Sequence, residues 1–338
     1  MNFDLPESYT LKNANLRGLN WKYVDLLPKS PQKGTFLLVH GFPDTWFSWH
    51  TVAKQLVTAG YRCVIPSLVG FCGTDTPDDL KRYTRVEMAH DMAALLEQLE
   101  IEQVVAVGHD WGSMAVQRLA AISPSKVEKV ILLSVPYTPP ATVRCTLESV
   151  VEGGFPVFGY QLLWRDDKTI ARLESSEPLR KSFFASLFSR PGDKSVRPVG
   201  YNWQKLGSEE WAAEMHPHTT HESSLLGAFY EWHVAQFSRF GMRGPCSQYK
   251  VWELNSELEV QLELPQRLEQ PILQVFFGGE SLLSNRQKRM AVESSNDQIK
   301  TVIVEDGESH WYLLEKPDTI SKLIFEYVDC AGQAKSNL

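Results

Sequence analysis

The sequence predicts an α/β fold, a mostly parallel sheet covered by helices on both faces and interrupted by a helical insertion. Three observations predict it. Short apolar runs alternate with amphipathic stretches in the first and last parts of the chain. That rhythm stops after Pro139-Pro140 and resumes at Pro271. Between the two breaks lie many Trp, Phe and Tyr residues, short helical patterns and no clear strand.

The elements follow in order. An antiparallel edge hairpin is expected from residues 10–11 and 21–27. Buried strands are expected at 36–39, 63–66, 104–107, 130–133, 272–277 and 301–304, where four to six apolar or β-branched residues run together. Amphipathic helices are expected at 48–59, 86–99, 113–121 and 319–327. A chain of 338 residues is long enough for one large core carrying an insertion. The expected division is core at 1–139, helical cap at 140–265 and core again at 266–338.

Bulk chemistry excludes several classes. A net charge of −7 argues against nucleic acid and anionic membrane surfaces as partners. No apolar stretch approaches the roughly 20 residues that span a bilayer. Met1-Asn2-Phe3-Asp4 has neither the basic region nor the apolar core of a signal peptide. The five cysteines, Cys63, Cys72, Cys145, Cys246 and Cys330, are scattered and lack CxxC spacing. Reduced thiols in a cytoplasmic protein are expected. Ser336-Asn337-Leu338 resembles a Ser-Lys-Leu peroxisomal address but lacks its central base. His216, His218 and His221 lie in a Pro- and Thr-rich stretch with no Cys or carboxylate at ligand spacing, so a loop is expected and no metal. Walker and Rossmann glycine patterns are missing, so no nucleotide cofactor is expected. Oligomeric state leaves no sequence signal.

The chemistry concentrates at Gly108-His109-Asp110-Trp111-Gly112. Small residues two before and two after a central residue, between a strand and a helix, form a nucleophile elbow. The central residue here is a carboxylate, so Asp110 would attack carbon and form an ester. His40-Gly41-Phe42-Pro43-Asp44 ends the strand at 36–39. Its turn would aim the Phe42 N–H at the elbow, and the Trp111 N–H points the same way, giving an oxyanion hole. His310, in Gly307-Glu308-Ser309-His310-Trp311, follows the last strand and would activate a water. Nucleophile, acid, histidine is the chain order of the α/β-hydrolase fold.

His40–Pro43, Gly108–Gly112 and His310-Trp311 together resemble the epoxide hydrolase family of α/β-hydrolases. The likeness continues through Asp44-Thr45-Trp46-Phe47-Ser48-Trp49, Ala59-Gly60-Tyr61-Arg62 and, in the cap, Pro156-Val157-Phe158-Gly159-Tyr160-Gln161-Leu162. The resemblance implies that Tyr160 supports the opening epoxide oxygen, that the Phe42–Pro43 peptide is cis, and that a vicinal diol forms from a small-molecule epoxide. It also implies substrate contacts from Pro43, Trp311 and a late cap helix. Rings at Trp164, Phe183, Phe184, Phe188, Trp203, Trp211 and Phe229 suggest an apolar ligand.

The chain departs from the family's pattern at three places. Ser281 stands where the acid is expected, and Glu280, one residue earlier, would have to orient His310 or nothing does. The other acid position used by related dehalogenases holds Ser134-Val135-Pro136 and no carboxylate. At the second cap tyrosine, aligned by Gly227, stands Trp232, with Tyr230 on another helix face. Leu68 and Val69 replace a charge pair in the loop 66–73, where Cys72 reads as packing. A weakened water-activating half leaves two alternatives open, an epoxide-opening cyclase using a substrate hydroxyl and a small-molecule-binding pseudoenzyme. An elbow Asp with a Trp such as Trp111 to hold halide also suits a haloalkane dehalogenase, but Phe42 disfavours it, because those enzymes usually place a polar residue there.

Overall fold

The computed structural model describes residues 4–153, 155–192, 224–280 and 283–335. Eight strands form one sheet: β1 (Lys12–Leu16), β2 (Leu19–Leu26), β3 (Gly34–Val39), β4 (Tyr61–Pro66), β5 (Val104–His109), β6 (Val127–Leu133), β7 (Ile272–Phe277) and β8 (Ile299–Val304). Their spatial order is β1-β2-β4-β3-β5-β6-β7-β8. The pairs β1–β2 and β2–β4 are antiparallel, and the other five are parallel.

The edge hairpin differs from the sequence reading. Its first arm is β1 rather than residues 10–11. Arg17 and Gly18, both at positive φ (50° and 88°), make a tight two-residue turn that pairs Leu16 with Leu19. This register buries Ala14 and Leu16 and leaves the residues between and before them exposed.

The core helices are α1 (His50–Thr58), α2 (Arg85–Gln98) and α3 (Trp111–Ile122). The step β3–α1–β4 moves one way across the sheet, and β5–α3–β6 moves the other way. Right-handed crossovers therefore place α1 and α3 on opposite faces. The reversal of strand order at β3 and β5 opens a crevice at the carboxyl ends of those strands, where open sheets of this kind hold ligands.

Between β6 and β7 the described chain is helical: α4 (Leu147–Glu152), α5 (Tyr160–Trp164), α6 (Asp167–Ser175), α7 (Glu177–Leu187), α8 (Tyr230–Phe240), α9 (Arg243–Ser247) and α10 (Trp252–Gln261). Trp203, Trp211, His216, His218 and His221 lie outside the described residues. The insertion sits hard on the core at Gly70 and Gly244, where a Cβ on Gly70 would meet the Gly244 Cα at 2.7 Å. After β7 come α11 (Asn285–Glu293), α12 (Tyr312–Glu315) and α13 (Pro317–Lys335), with α13 packed on α1.

Among the described residues no helix is long and apolar enough to cross a membrane. Cys63, Cys72 and Cys246 are buried, Cys145 is half-buried, and all four are free thiols. Burial pushes the thiols of Cys63, Cys72 and Cys246 up, so they stay protonated.

Candidate active site

Asp110 sits between β5 and α3 with φ 53° and ψ −122°, a backbone that a residue with a Cβ adopts only under constraint. The constraint is visible on both sides. A Cβ on Gly108 would meet the Gly112 carbonyl and the Ser113 nitrogen at 2.4 Å, and one on Gly112 would meet the Val39 oxygen at 2.2 Å. The Ser113 hydroxyl ties the turn down by donating to the carbonyls of Gly108 (2.7 Å) and Leu133 (3.0 Å).

The Phe42 N–H, from the turn after β3, donates to Asp110 Oδ1 at 2.9 Å, and the Trp111 N–H also serves this carboxylate. The Phe42–Pro43 peptide is cis. Burial pushes the Asp110 carboxyl up, while His310 and the two N–H groups pull against that rise. The side chain is therefore a poorly hydrated anion held by two fixed dipoles.

His310 follows β8. Its Nε2 lies 3.7 Å from Asp110 Oδ2, and its Nδ1 lies 2.6 Å from Glu280 Oε1. Glu280 follows β7 and is 5% exposed. Ser134, at the end of β6, donates to the same Glu280 oxygen at 2.5 Å and lies 3.1 Å from His310 Nδ1. The Tyr312 hydroxyl donates to Glu280 Oε2, and Lys288 Nζ donates to the Gly278 and Glu280 carbonyls. Burial opposes a charge on His310. The hydrogen bond and charge of Glu280, with the charges of Asp110 and Asp44, outweigh it and raise the imidazole.

One cavity of about 440 Å³ opens beside Asp110 and Trp111, beneath Tyr160 of α5. A second depression of about 490 Å³, bounded by Lys129, Pro271 and Gln298, lies at the amino ends of the strands, away from this chemistry. Tyr160 has a partner inside the fold that sequence reasoning missed. Tyr249, in the turn Gln248–Lys250 between α9 and α10, packs its ring 6.2 Å from that of Tyr160, 5.3 Å from Trp111 and 5.0 Å from Phe42. Burial and the nearness of Tyr160 and Asp110 push the Tyr249 phenol well up, and the Trp111 side chain hydrogen-bonds it. Burial and Asp110 likewise push Tyr160 up. Counting from Gly227 could not find Tyr249, because it lies on a later turn and not on the late cap helix.

The expected substrate contacts fall elsewhere. The Tyr230 hydroxyl donates to the Lys181 carbonyl, inside the cap. Trp232 packs on Trp46 and Phe47, with ring centres 5.8 and 5.4 Å away. Trp311 stacks on Phe188 at 3.9 Å and donates its indole N–H to the Leu187 carbonyl. Pro43 presents its carbonyl to His233 Nε2 at 3.0 Å. None of the four borders the cavity. Nor do Trp164, Phe183, Phe184, Phe188 and Phe229, which pack against one another, His233 and Phe47. Ser281, at the position where the acid is expected, lies outside the described residues, as do the C-terminal Ser336-Asn337-Leu338. No group of His, Cys, Asp and Glu able to hold a metal occurs among the described residues.

The elbow, the crossover order and the histidine loop define the class. Residues 34–317 match the alpha/beta hydrolase fold family, and the chain belongs to it. Within that family its relatives are epoxide hydrolases. It is 26% identical over 294 residues to bifunctional epoxide hydrolase 2 of Rattus norvegicus, covering 86% of this chain and 51% of that one. The chain thus spans about half the length of the rat relative. It is 27% identical over 302 residues to epoxide hydrolase srdG of Neurospora crassa, covering 87% of this chain and 86% of that one. The fold also matches the crystal structure of epoxide hydrolase A from Mycobacterium thermoresistibile, with a TM-score of 0.74, 23% identity and coverage of 95% and 98% of the two chains.

Proposed function

We propose that this protein is an epoxide hydrolase working through an aspartyl ester. The observation that carries the reading is the line Glu280–His310–Asp110, with Nδ1 2.6 Å from the one carboxylate and Nε2 3.7 Å from the other. In the first step an Asp110 oxygen attacks an epoxide carbon, a C–O bond forms and the ring C–O bond breaks. The alkoxide takes a proton from Tyr160 or Tyr249. Because burial raises both phenols, the proton stays on them until the far more basic alkoxide appears.

In the second step His310 takes a proton from water as the hydroxide adds to the ester carbonyl. The Phe42 and Trp111 N–H groups hold the oxyanion. Collapse breaks the ester, and the departing oxygen takes its proton from His310. The proton left on the Asp110 carboxyl restores the phenol, and one water has been added to give a vicinal diol. Glu280 holds the Nδ1 proton and steadies the imidazolium.

The cyclase and binding-protein readings both rest on a missing acid, and Glu280 beside His310 supplies one. Single turnover in heavy-oxygen water, followed by digestion, tests the route. Label in the Asp110 peptide supports it, and a cyclic product with unlabelled Asp110 sinks it. Asp110→Asn removes the nucleophile but keeps a residue type that tolerates positive φ. Loss of turnover with an unchanged fold is expected, and full activity would exclude Asp110 from the reaction. The free, buried thiols suit a reducing, cytoplasmic setting.

A further inference from the structure

We propose that Tyr312 and Ser134 are positioning residues that clamp the Glu280 carboxylate, so that a glutamate standing one place before the expected acid can orient His310. The inference rests on the hydrolase reading for the reaction, while the clamp itself is measurable without turnover. Glu280 has one more rotatable bond than an aspartate, so its carboxylate must be stopped in one orientation to serve the base. Three donors stop it. His310 Nδ1 and the Ser134 hydroxyl both meet Oε1, at 2.6 and 2.5 Å. The Tyr312 hydroxyl meets Oε2. With both oxygens held, the carboxylate cannot turn about its last bond.

Each neutral donor is itself fixed. Tyr312 opens α12, two residues after His310, so one segment carries the base and a donor to the base's acid. Its ring is fully buried and lies flat on Phe277, with centres 3.7 Å and planes 6° apart. The Phe277 N–H, the last of β7, donates to the phenol oxygen at 2.6 Å. That leaves the phenol proton for Glu280, and each bond in the chain from Phe277 N–H through Tyr312 to Oε2 polarises the next. Burial and the charge of Glu280 push the phenol well up, so it remains a donor. Ser134 sits at φ 74°, a left-handed backbone uncommon for serine. Its N–H donates to the Val275 carbonyl at 3.1 Å, which ties it to β7 beside the acid. The Gly279 N–H donates to the Gly307 carbonyl at 2.9 Å and stitches the acid's loop to the histidine's.

A competitor makes the clamp necessary. Lys288 on α11 is 1% exposed, and its ammonium donates to the Gly278 and Glu280 carbonyls. An ammonium has three donors, so a third remains to offer. Glu280 acts on this cation more strongly than Glu305 does. Without the Tyr312 proton, Oε2 would be a buried, unmet anion, and Lys288 would draw it away from His310.

Magnetic resonance titration of the protein carrying heavy-nitrogen histidine tests this without turnover, with His310→Gln identifying the signal. His310 faces the charges of Glu280, Asp110 and Asp44 and the neutral ring of His109. Of these, Tyr312→Phe takes a partner from Glu280 alone. The expected His310 midpoint lies at least about one pH unit below the parent's. Loss of a merely structural neutral donor would instead bare more charge beside the imidazole and raise it. An unchanged or raised midpoint overturns the proposal. Kinetics give a second readout. Tyr312→Phe should slow ester hydrolysis by about 10- to 100-fold and leave ester formation within about twofold. In a Glu280→Gln background the same change should add no more than about twofold, because a residue acting through that carboxylate has nothing left to act on. Equal slowing of both steps, or a fully additive loss in the double variant, overturns the clamp. If Tyr312→Phe does not fold, Ser134→Ala runs the same cycle with the same expectations. Should the parent form no ester, the hydrolase reading fails and the His310 titration still decides the clamp.

Discussion

Gly41 touches Asp110 so closely that no methyl group fits between them. A Cβ on Gly41 would lie 2.4 Å from Asp110 Oδ1 and 2.5 Å from its Cβ. The turn after β3 thus does two things at once. It supplies the Phe42 N–H and forms the wall against which the nucleophile is pressed. Gly41→Ala must push the carboxylate away from that donor. A misplacement of about 1 Å is enough to cost roughly 10²-fold in rate. The expected outcome is a folded protein, by circular dichroism, whose single-turnover ester formation falls by about that factor. Ester formation at the parent rate would mean that the contact does not set the nucleophile's position.

Glu280→Gln separates the two halves of the reaction. Removing the orienting acid of a catalytic triad costs up to about 10⁴ in rate. Here that loss falls on ester hydrolysis, so the ester should accumulate after a normal burst. The pH profile should move too. Glu280 helps hold the His310 imidazole up, and burial alone would lower it. His310 must be neutral to take a proton, so the acid limb of hydrolysis lies above the ordinary value near 6.5 in the parent and shifts to lower pH in the variant. The linkage has the matching sign. A folded value above the unfolded one adds stability that is complete below about pH 6.5 and disappears as pH rises through the folded value. Urea unfolding across that range should show this slope in the parent and not in Glu280→Gln.

The paired phenols predict a different pattern. Tyr160→Phe and Tyr249→Phe each remove one donor to the developing alkoxide, and each should slow ester formation by about 10²–10³. Hydrolysis of ester already formed should hardly change. Tyr230→Phe is the control, because that hydroxyl is spent on the Lys181 carbonyl within the cap. A large loss in Tyr230→Phe with none in Tyr249→Phe would reverse the assignment.

Local patterns carried much of this architecture. The apolar runs at β3 to β8 and the elbow glycines are short-range signals, and each lies within a few residues of its expected place. So do His310 and Tyr160, because a loop after a strand and a short cap motif keep their spacing. What escaped depends on contacts distant in sequence. Ser134 reaches Glu280 across 146 positions, and nothing near Ser134 announces an acid's helper. Tyr249 meets Trp111 only because α9 and its following turn fold back over the elbow. The cap aromatics read as ligand contacts, yet rings such as Phe188 and Trp311 satisfy one another. Burial alone did not say which face a ring would turn to the cavity. Arg85, Arg118 and Glu259 stand far apart in the chain, and their pairing follows from α2, α3 and α10 meeting at the cavity's end.

His233 joins the cap to the turn that holds the oxyanion donors, and this link can be cut cleanly. Its Nε2 lies 3.0 Å from the Pro43 carbonyl, one residue beyond Phe42, and its ring is wrapped by Phe184, Phe188 and Phe237. Burial pushes the imidazole down to about 3, so it is neutral at any working pH and donates from Nε2. Its Nδ1 has no partner among the described residues, so the Pro43 bond is the ring's one return for being desolvated. His233→Phe keeps the aromatic packing and removes the donor, leaving a buried carbonyl unmet. Such a loss costs about 1–3 kcal/mol. Urea denaturation should show a destabilisation of that size at pH 8 that shrinks towards pH 5, because below about pH 6.5 the unfolded histidine takes a proton that the folded one cannot. An unchanged midpoint at pH 8 would mean that this bond does not tie α8 to the Pro43 turn.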